Sequence, residues 1–235
     1  AHPDVKNIPI QECGDQLVDV ALMGHPRIRV MEGDELLSAH AESGEIDPRS
    51  GAYGTVRQEV YAAFVRMLEE LDRHAADFGY EQGELEILLF EGLRDLATQK
   101  VLFDGVMQRL QREFPEWTQE QAYAETSKWV SPYKNNVPAH STGGAVDIHL
   151  WSNKRKTCCN MGPFNVGGFT SPTFSADARL SEQQLNNRLL MLIAATKAGL
   201  TNYTNEFWHY SLGDRYAVYW RVADPALRVA CYGSV

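Results

Sequence analysis

Two short segments of this 235-residue sequence carry side chains that can bind a metal and move a proton. The first runs Pro138-Ala-His-Ser-Thr-Gly-Gly-Ala-Val-Asp147 and sets an imidazole, His140, and a carboxylate, Asp147, on either side of a small-residue turn. On a continuous strand an i to i+7 separation points two side chains to opposite faces, so the turn at Gly143 and Gly144 is needed to fold them onto one side of a hairpin. The second segment, Glu206-Phe-Trp-His209, is an E-x-x-H pair. Three-residue spacing on a helical or turn-like backbone presents both groups to the same side. Two imidazoles and one carboxylate, with a fourth position for water, make a common catalytic zinc arrangement, and the remaining carboxylate is free for proton transfer.

Most of the other histidines read as surface or hydrogen-bonded core residues. His149 is the exception: it lies two residues after Asp147 on the same strand face and competes as a ligand. Trp208, Tyr210 and Trp220 read as core packing around the site rather than as substrate platforms. The four cysteines, Cys13, Cys158, Cys159 and Cys231, show no C-x-x-C spacing of a structural zinc site. An even count allows two bridges in an oxidising compartment, against the plainer alternative of small buried thiols.

The elements that must position these groups follow from periodicity. Val60, Phe64, Met67, Leu68 and Leu71 recur at helical spacing and predict a helix from Val56 to about Phe78, stopped at Gly79. Leu85 to Phe90 is dense in Leu, Ile and Phe and predicts a buried strand, leading through Glu91, Gly92, Leu93 and Arg94 into a helix that ends near Phe114. Pro115 breaks that pattern, and Thr118 with Gln121 forms a capping-box signature for a short helix through Trp129. Loop chemistry from Ser131 to Gly144 gives way to an alternating strand, Ala145 to Leu150, and then a long loop from Ser152 to about Leu180. Gln183 to Ala198 predicts the last long helix and Tyr216 to Val222 a final strand. This order predicts an α+β single domain with a mainly antiparallel central sheet flanked by helices.

Taken together, His140-x-x-Gly143-x-Ala145-x-Asp147 followed by Glu206-x-x-His209 resembles the zinc-dependent D-alanyl-D-alanine dipeptidases and the related D,D-carboxypeptidases of bacterial cell-wall metabolism. Glu91-Gly-Leu-Arg94 resembles that family's arginine-bearing strand-to-helix segment. Asn160-Met-Gly162-Pro-Phe-Asn165 is similar to its segment after the central hairpin, and Gly213-Asp-Arg-Tyr216 to the segment after the last ligand. The resemblance implies one zinc ion per chain held by His140, Asp147 and His209, with Glu206 as general base and Arg94 stabilising the developing oxyanion. It also implies the hedgehog-like fold of these peptidases. It runs from about Val56 to the C-terminus, making residues 56–235 the zinc peptidase domain and 1–55 an N-terminal arm or flanking elements. Asn160 and Asn165 stand where many dipeptidases of the family have aspartates, which removes the natural partner for a dipeptide's ammonium group.

The resulting expectation is a zinc dipeptidase hydrolysing D-Ala-D-Ala or a similar dipeptide. The alternatives are a D,D-carboxypeptidase or endopeptidase acting on peptidoglycan stem peptides, and, by analogy with hedgehog-like relatives, a non-catalytic zinc-binding domain. Retention of Glu206 and Arg94 argues against the last. A formal charge of −9 disfavours nucleic acid and anionic membrane surfaces as partners. No stretch approaches the ~20 apolar residues of a membrane span, so no membrane insertion is expected, and the resemblance implies a small dipeptide as the partner.

Overall fold

The computed structural model describes residues 3–31, 51–162 and 177–235. In chain order the elements are α1 (Pro3–Lys6), β1 (Leu17–Asp19), β2 (Ile28–Val30), β3 (Thr55–Arg57), α2 (Gln58–His74), β4 (Leu85–Glu91), α3 (Leu96–Glu113) and α4 (Gln119–Trp129). They continue with β5 (Ala145–Ser152), β6 (Thr157–Cys158), α5 (Glu182–Ala198), β7 (Thr201–Asn202), β8 (His209–Ser211) and α6 (Arg215–Arg221). A six-stranded sheet runs β2-β4-β5-β8-β7, with β6 paired to one end of β5. Only β2 and β4 are parallel, and every other pairing in this sheet is antiparallel. A separate antiparallel pair joins β1 to β3.

The two inner strands are buried on both faces, so period-2 alternation sorts their side chains between two environments. Ile87 and Leu89 of β4, with Val146, Ile148 and Leu150 of β5, face the main core. There they meet Phe64, Met67 and Leu71 of α2 and Leu190, Met191 and Ala194 of α5. Leu88 and Phe90 belong to a smaller cluster with Met31, against which Trp151 packs. Asp147 and His149, out of phase with Val146 and Ile148, share that second side. Both long helices have identifiable ends. A 3-10 turn, Ala75–Phe78, extends α2 to Gly79 in the left-handed region. A capping box of Ser181 and Gln184 starts α5, and Gly199, at φ 104°, stops it. The Thr118 and Gln121 capping box opens α4 as the sequence predicts.

Two sequence expectations are corrected. Tyr216 to Val222 is not a strand: Arg215–Arg221 is helix α6, whose first turn is capped by Asp214 accepting the Ala217 N–H at 2.8 Å. The run of Tyr, Val and Trp carries a strand signal, but the cap fixes the local backbone, and only Ala217 of this helix is buried. Nor do His140 and Asp147 flank a hairpin. His140 sits in a 3-10 turn, Ala139–Thr142, closed by Gly143 at φ 70°, and the chain runs directly on into β5. Much of the predicted Ser152 to Leu180 loop, from residue 163 to 176, lies outside the described residues. Among the described residues no helix is long and apolar enough to cross a membrane.

Gly144 is needed for close approach. A Cβ there would stand 2.5 Å from the Leu212 carbonyl oxygen and 2.6 Å from the Tyr232 ring, where β5 meets the segment after β8. Gly144→Ala should therefore destabilise the fold by about 1–3 kcal/mol and lower the melting temperature by several degrees in differential scanning calorimetry. An unchanged melting temperature would contradict this packing.

Candidate metal centre and catalytic cavity

Strand register builds the site. β5 pairs with β8 so that Asp147 lies opposite His209, and with β4 so that Asp147 lies opposite Glu91, after a register shift between Leu89 and Glu91. In an antiparallel pair, directly opposed residues have Cβ atoms about 4.5–5.5 Å apart, so a carboxylate and an imidazole placed this way meet. Asp147 Oδ1 is 2.9 Å from His209 Nδ1. His140 comes in from the 3-10 turn, its Nε2 3.1 Å from His209 Nδ1 and 3.4 Å from Asp147 Oδ1.

The donor set fits zinc. Gly92 O can only accept, so the 2.9 Å contact makes His140 Nδ1 the protonated nitrogen and leaves the Nε2 lone pair aimed at Asp147 and His209. The spacing of the three inward atoms is close to the ~3.3 Å edge of a tetrahedron with ligand arms of ~2.0–2.1 Å. Two imidazole nitrogens with one carboxylate oxygen is chemistry that zinc accepts. Among the described residues this is the one cluster of three or more His, Cys, Asp or Glu with ligand atoms so grouped.

Electrostatics separate the acids of the site. Burial opposes ionisation of Asp147, but the two imidazoles hold its carboxyl far below the usual range. Burial also works against a charge on His140, and Asp147 beside it outweighs that and raises the imidazole. Glu206 is different: burial pushes its carboxyl up to about 7, with His209 and Arg94 opposing the shift and Asp147 adding to it.

Glu206 and His209 occupy one turn, as their spacing predicts. The Glu206 N–H donates to Tyr203 O and the His209 N–H to Glu206 O, which brings Glu206 Oε2 to 3.9 Å from His209 Nδ1. Asn202 Nδ2 ties the turn down by donating to both Glu206 O and His209 O, at 3.1 and 3.0 Å. Arg94 follows β4 as expected, its backbone N–H on His140 O at 3.1 Å. Its guanidinium grips Glu91 through Nε at 2.8 Å and through Nη2, while Nη1 donates to Gln99 Oε1 at 3.1 Å. Gln99 is itself fixed to Ser131 O at 2.7 Å. Arg94, His140, Asp147, Glu206 and His209 all line one cavity of about 240 Å³, whose walls also include Trp129 and Tyr216.

Other sequence candidates fall elsewhere. His149 is packed edge-on against Phe90 and Phe207, with ring centroids at 5.9 and 6.0 Å, and burial pushes its imidazole down to about 4. It is not part of the Asp147 cluster. Trp208 and Tyr210 are buried, but Trp220 is 61% exposed, so the core reading fails for it; α6 turns that residue outward. Asn160 is exposed and bonds Gly162 N–H and Gln184 Nε2 rather than lining the cavity, and Asn165 lies outside the described residues. Gln99 and Asn202, buried and close to the site, carry no motif that sequence reasoning could have singled out, whereas buried Asp214 falls in the Gly213-Asp-Arg-Tyr216 segment, which drew attention without giving it a role.

The chain is similar to several known proteins. A family profile, Peptidase_M15, described as D-ala-D-ala dipeptidase, matches residues 69–230. A D-alanyl-D-alanine dipeptidase of Synechocystis sp. (strain ATCC 27184 / PCC 6803 / Kazusa) is 25% identical over 255 aligned positions, covering 97% of this chain and 95% of that protein. Among solved structures, VanYB in complex with D-Alanine-D-Alanine is 15% identical over 72% of this chain and 78% of its own, with a TM-score of 0.42. The LdcB LD-carboxypeptidase is 19% identical over 88% and 72%, with a TM-score of 0.41.

Metal-stripped protein should take up one zinc ion per chain in a calorimetric titration checked by atomic absorption. His209→Ala should weaken that binding by at least about 100-fold, since it removes one of three protein ligands. Unaltered affinity would place the metal elsewhere.

Proposed function

The chain belongs to the Peptidase_M15 (D-ala-D-ala dipeptidase) family, a family of zinc metallopeptidases, and from that premise we propose that it hydrolyses D-Ala-D-Ala or a closely similar dipeptide. His140, Asp147 and His209 hold the zinc in this reading, Glu206 is the general base and Arg94 the oxyanion partner. The observation that carries it is the placement of Glu206 and Arg94 on the same cavity as the His-Asp-His cluster. A zinc-binding domain without turnover has no use for either.

Zinc bound by such residues supplies Lewis-acid polarisation and lowers the pKa of a bound water towards ~7. Glu206, with a carboxyl near 7, is matched to take a proton on Oε2 from the attacking water and return it to the leaving amine. Arg94 brings a permanent cation to the carbonyl oxygen that turns anionic in the tetrahedral intermediate. Glu91 and Gln99 pin that guanidinium before substrate arrives, so little reorganisation accompanies the charge development.

A second reading, a D,D-carboxypeptidase or endopeptidase acting on peptidoglycan stem peptides, draws on Asn160. That residue is uncharged and turned towards Gln184, so it offers no carboxylate to a free ammonium end. Such a site would suit a peptide whose amino end is blocked.

Zinc-loaded protein should release free alanine from D-Ala-D-Ala, and a chelator should stop it. Faster cleavage of an N-acylated peptide ending in D-Ala-D-Ala would favour the second reading, and no chelator-sensitive release from either would sink both. Glu206→Ala should keep zinc and lose at least about 1,000-fold in kcat, and Arg94→Ala about 100–1,000-fold, the range seen when an oxyanion donor is removed.

A further inference from the structure

Cys13 and Cys231 come from opposite ends of the described chain, yet their backbones are directly bonded. The Cys13 N–H donates to Cys231 O at 3.1 Å, shortly after a parallel bridge that pairs Ile10 with Ala230. The bond holds the two backbones at sheet-like spacing, where neighbouring chains lie about 4.7–4.9 Å apart, compatible with the ~4.4–6.8 Å Cα separation that a disulfide closes. The two thiols are close enough for Cys13 to act on Cys231 electrostatically. Cys13 is exposed and Cys231 half-buried, with its Sγ 3.6 Å from Gly213 O. Cys158 and Cys159, adjacent in sequence, offer no comparable pair.

The surroundings give a bridge here something to hold. Arg57 is buried and donates from Nε to Thr142 O at 2.8 Å, beside the turn that carries His140. Its other nitrogens hold Glu12 and the Asp15 carbonyl, and its guanidinium lies on the Tyr232 ring. Tyr232 Oη donates to Asp15 at 2.7 Å, the Gly233 N–H to Glu12 at 2.8 Å and the Val235 N–H to Ser141 O at 3.0 Å. Residues 12–15 and 231–235 thus form a belt behind His140.

We propose that Cys13 and Cys231 are a disulfide-forming pair that closes this belt covalently when the protein meets an oxidising disulfide. The exposed Cys13 thiolate attacks one sulfur of a small-molecule disulfide, giving a mixed disulfide and releasing one small thiol. The Cys231 thiolate then attacks Cys13 Sγ, forming the protein bridge and releasing the second small thiol. Two protein thiols are oxidised and one external disulfide is reduced to two thiols. Burial, with Cys13 adding to it, pushes the Cys231 thiol up to about 11, so the second step is the slow one.

The test is to incubate the zinc-loaded full chain with excess oxidised glutathione, alkylate after denaturation and map peptides by mass. Two of the four thiols should disappear into one peptide linking Cys13 to Cys231, reversibly with dithiothreitol, and the melting temperature should rise by about 5–10 °C. Cys13→Ser, a change at an exposed side chain, should abolish the linked peptide and the rise together. Glutathione held on Cys13 with Cys231 still open to alkylation, a Cys13-linked dimer, or a bridge that uses Cys158 or Cys159 would each overturn the proposal.

Discussion

The site depends on the register of β5 between its two neighbours. Asp147 is opposed by Glu91 on one side and His209 on the other, so a single row across the sheet carries a carboxylate and an imidazole of the His-Asp-His cluster and the acid that anchors Arg94. Because side chains alternate along a strand, a slip of one residue would turn Asp147 into the helix-packed core and bring Val146 or Ile148 to the cavity. Burial of Val146, Ile148 and Leu150 against α2 and α5 is what forbids the slip. The hydrophobic core thus positions the polar row by occupying the opposite face.

The acids in and beside that row differ through their partners. Glu91 is paired with a guanidinium, Asp147 lies against two imidazoles, and half-buried Glu206 has His209 Nδ1 at 3.9 Å. Asp147 is held far below the usual carboxylate range, whereas burial pushes the Glu206 carboxyl up to about 7. Such divergence between neighbouring carboxylates is how a protein assigns one to binding and another to proton transfer.

Much of this was legible in the sequence, for a physical reason. Helix α2 shows itself because its buried face recurs at helical spacing, and α4 and α5 because they are locally amphipathic or capped. The nearness of Glu206 to His209 follows from three-residue spacing on a turn. What the sequence hid was non-local. Gln99 links Arg94 to the distant Ser131 carbonyl, and Asn202 ties down the Glu206 and His209 carbonyls; both act through uncharged amides that no motif marks. Tyr216 to Val222 misled because aromatic and β-branched content favours strands, while one side chain, Asp214, set the helix. The Gly143 and Gly144 pair promised a turn but not its kind: Gly143 closes a 3-10 turn and Gly144 makes room for Leu212 and Tyr232.

The bridge between Ile10 and Ala230 bears on how the protein is made. Synthesis runs from the N-terminus, so residues 10–15 leave the ribosome long before the strand that receives them exists. Cys13, exposed in the finished fold, waits through most of that interval with no partner for its backbone N–H. The ligand cluster likewise takes one member from each of β5 and β8 and is framed from behind by residues 231–235. A nascent chain can therefore fold its helices and inner strands early, but it acquires a closed site only as the last described residues arrive. Non-local pairing of this kind costs loop-closure entropy before its contacts form, which slows folding relative to local pairing.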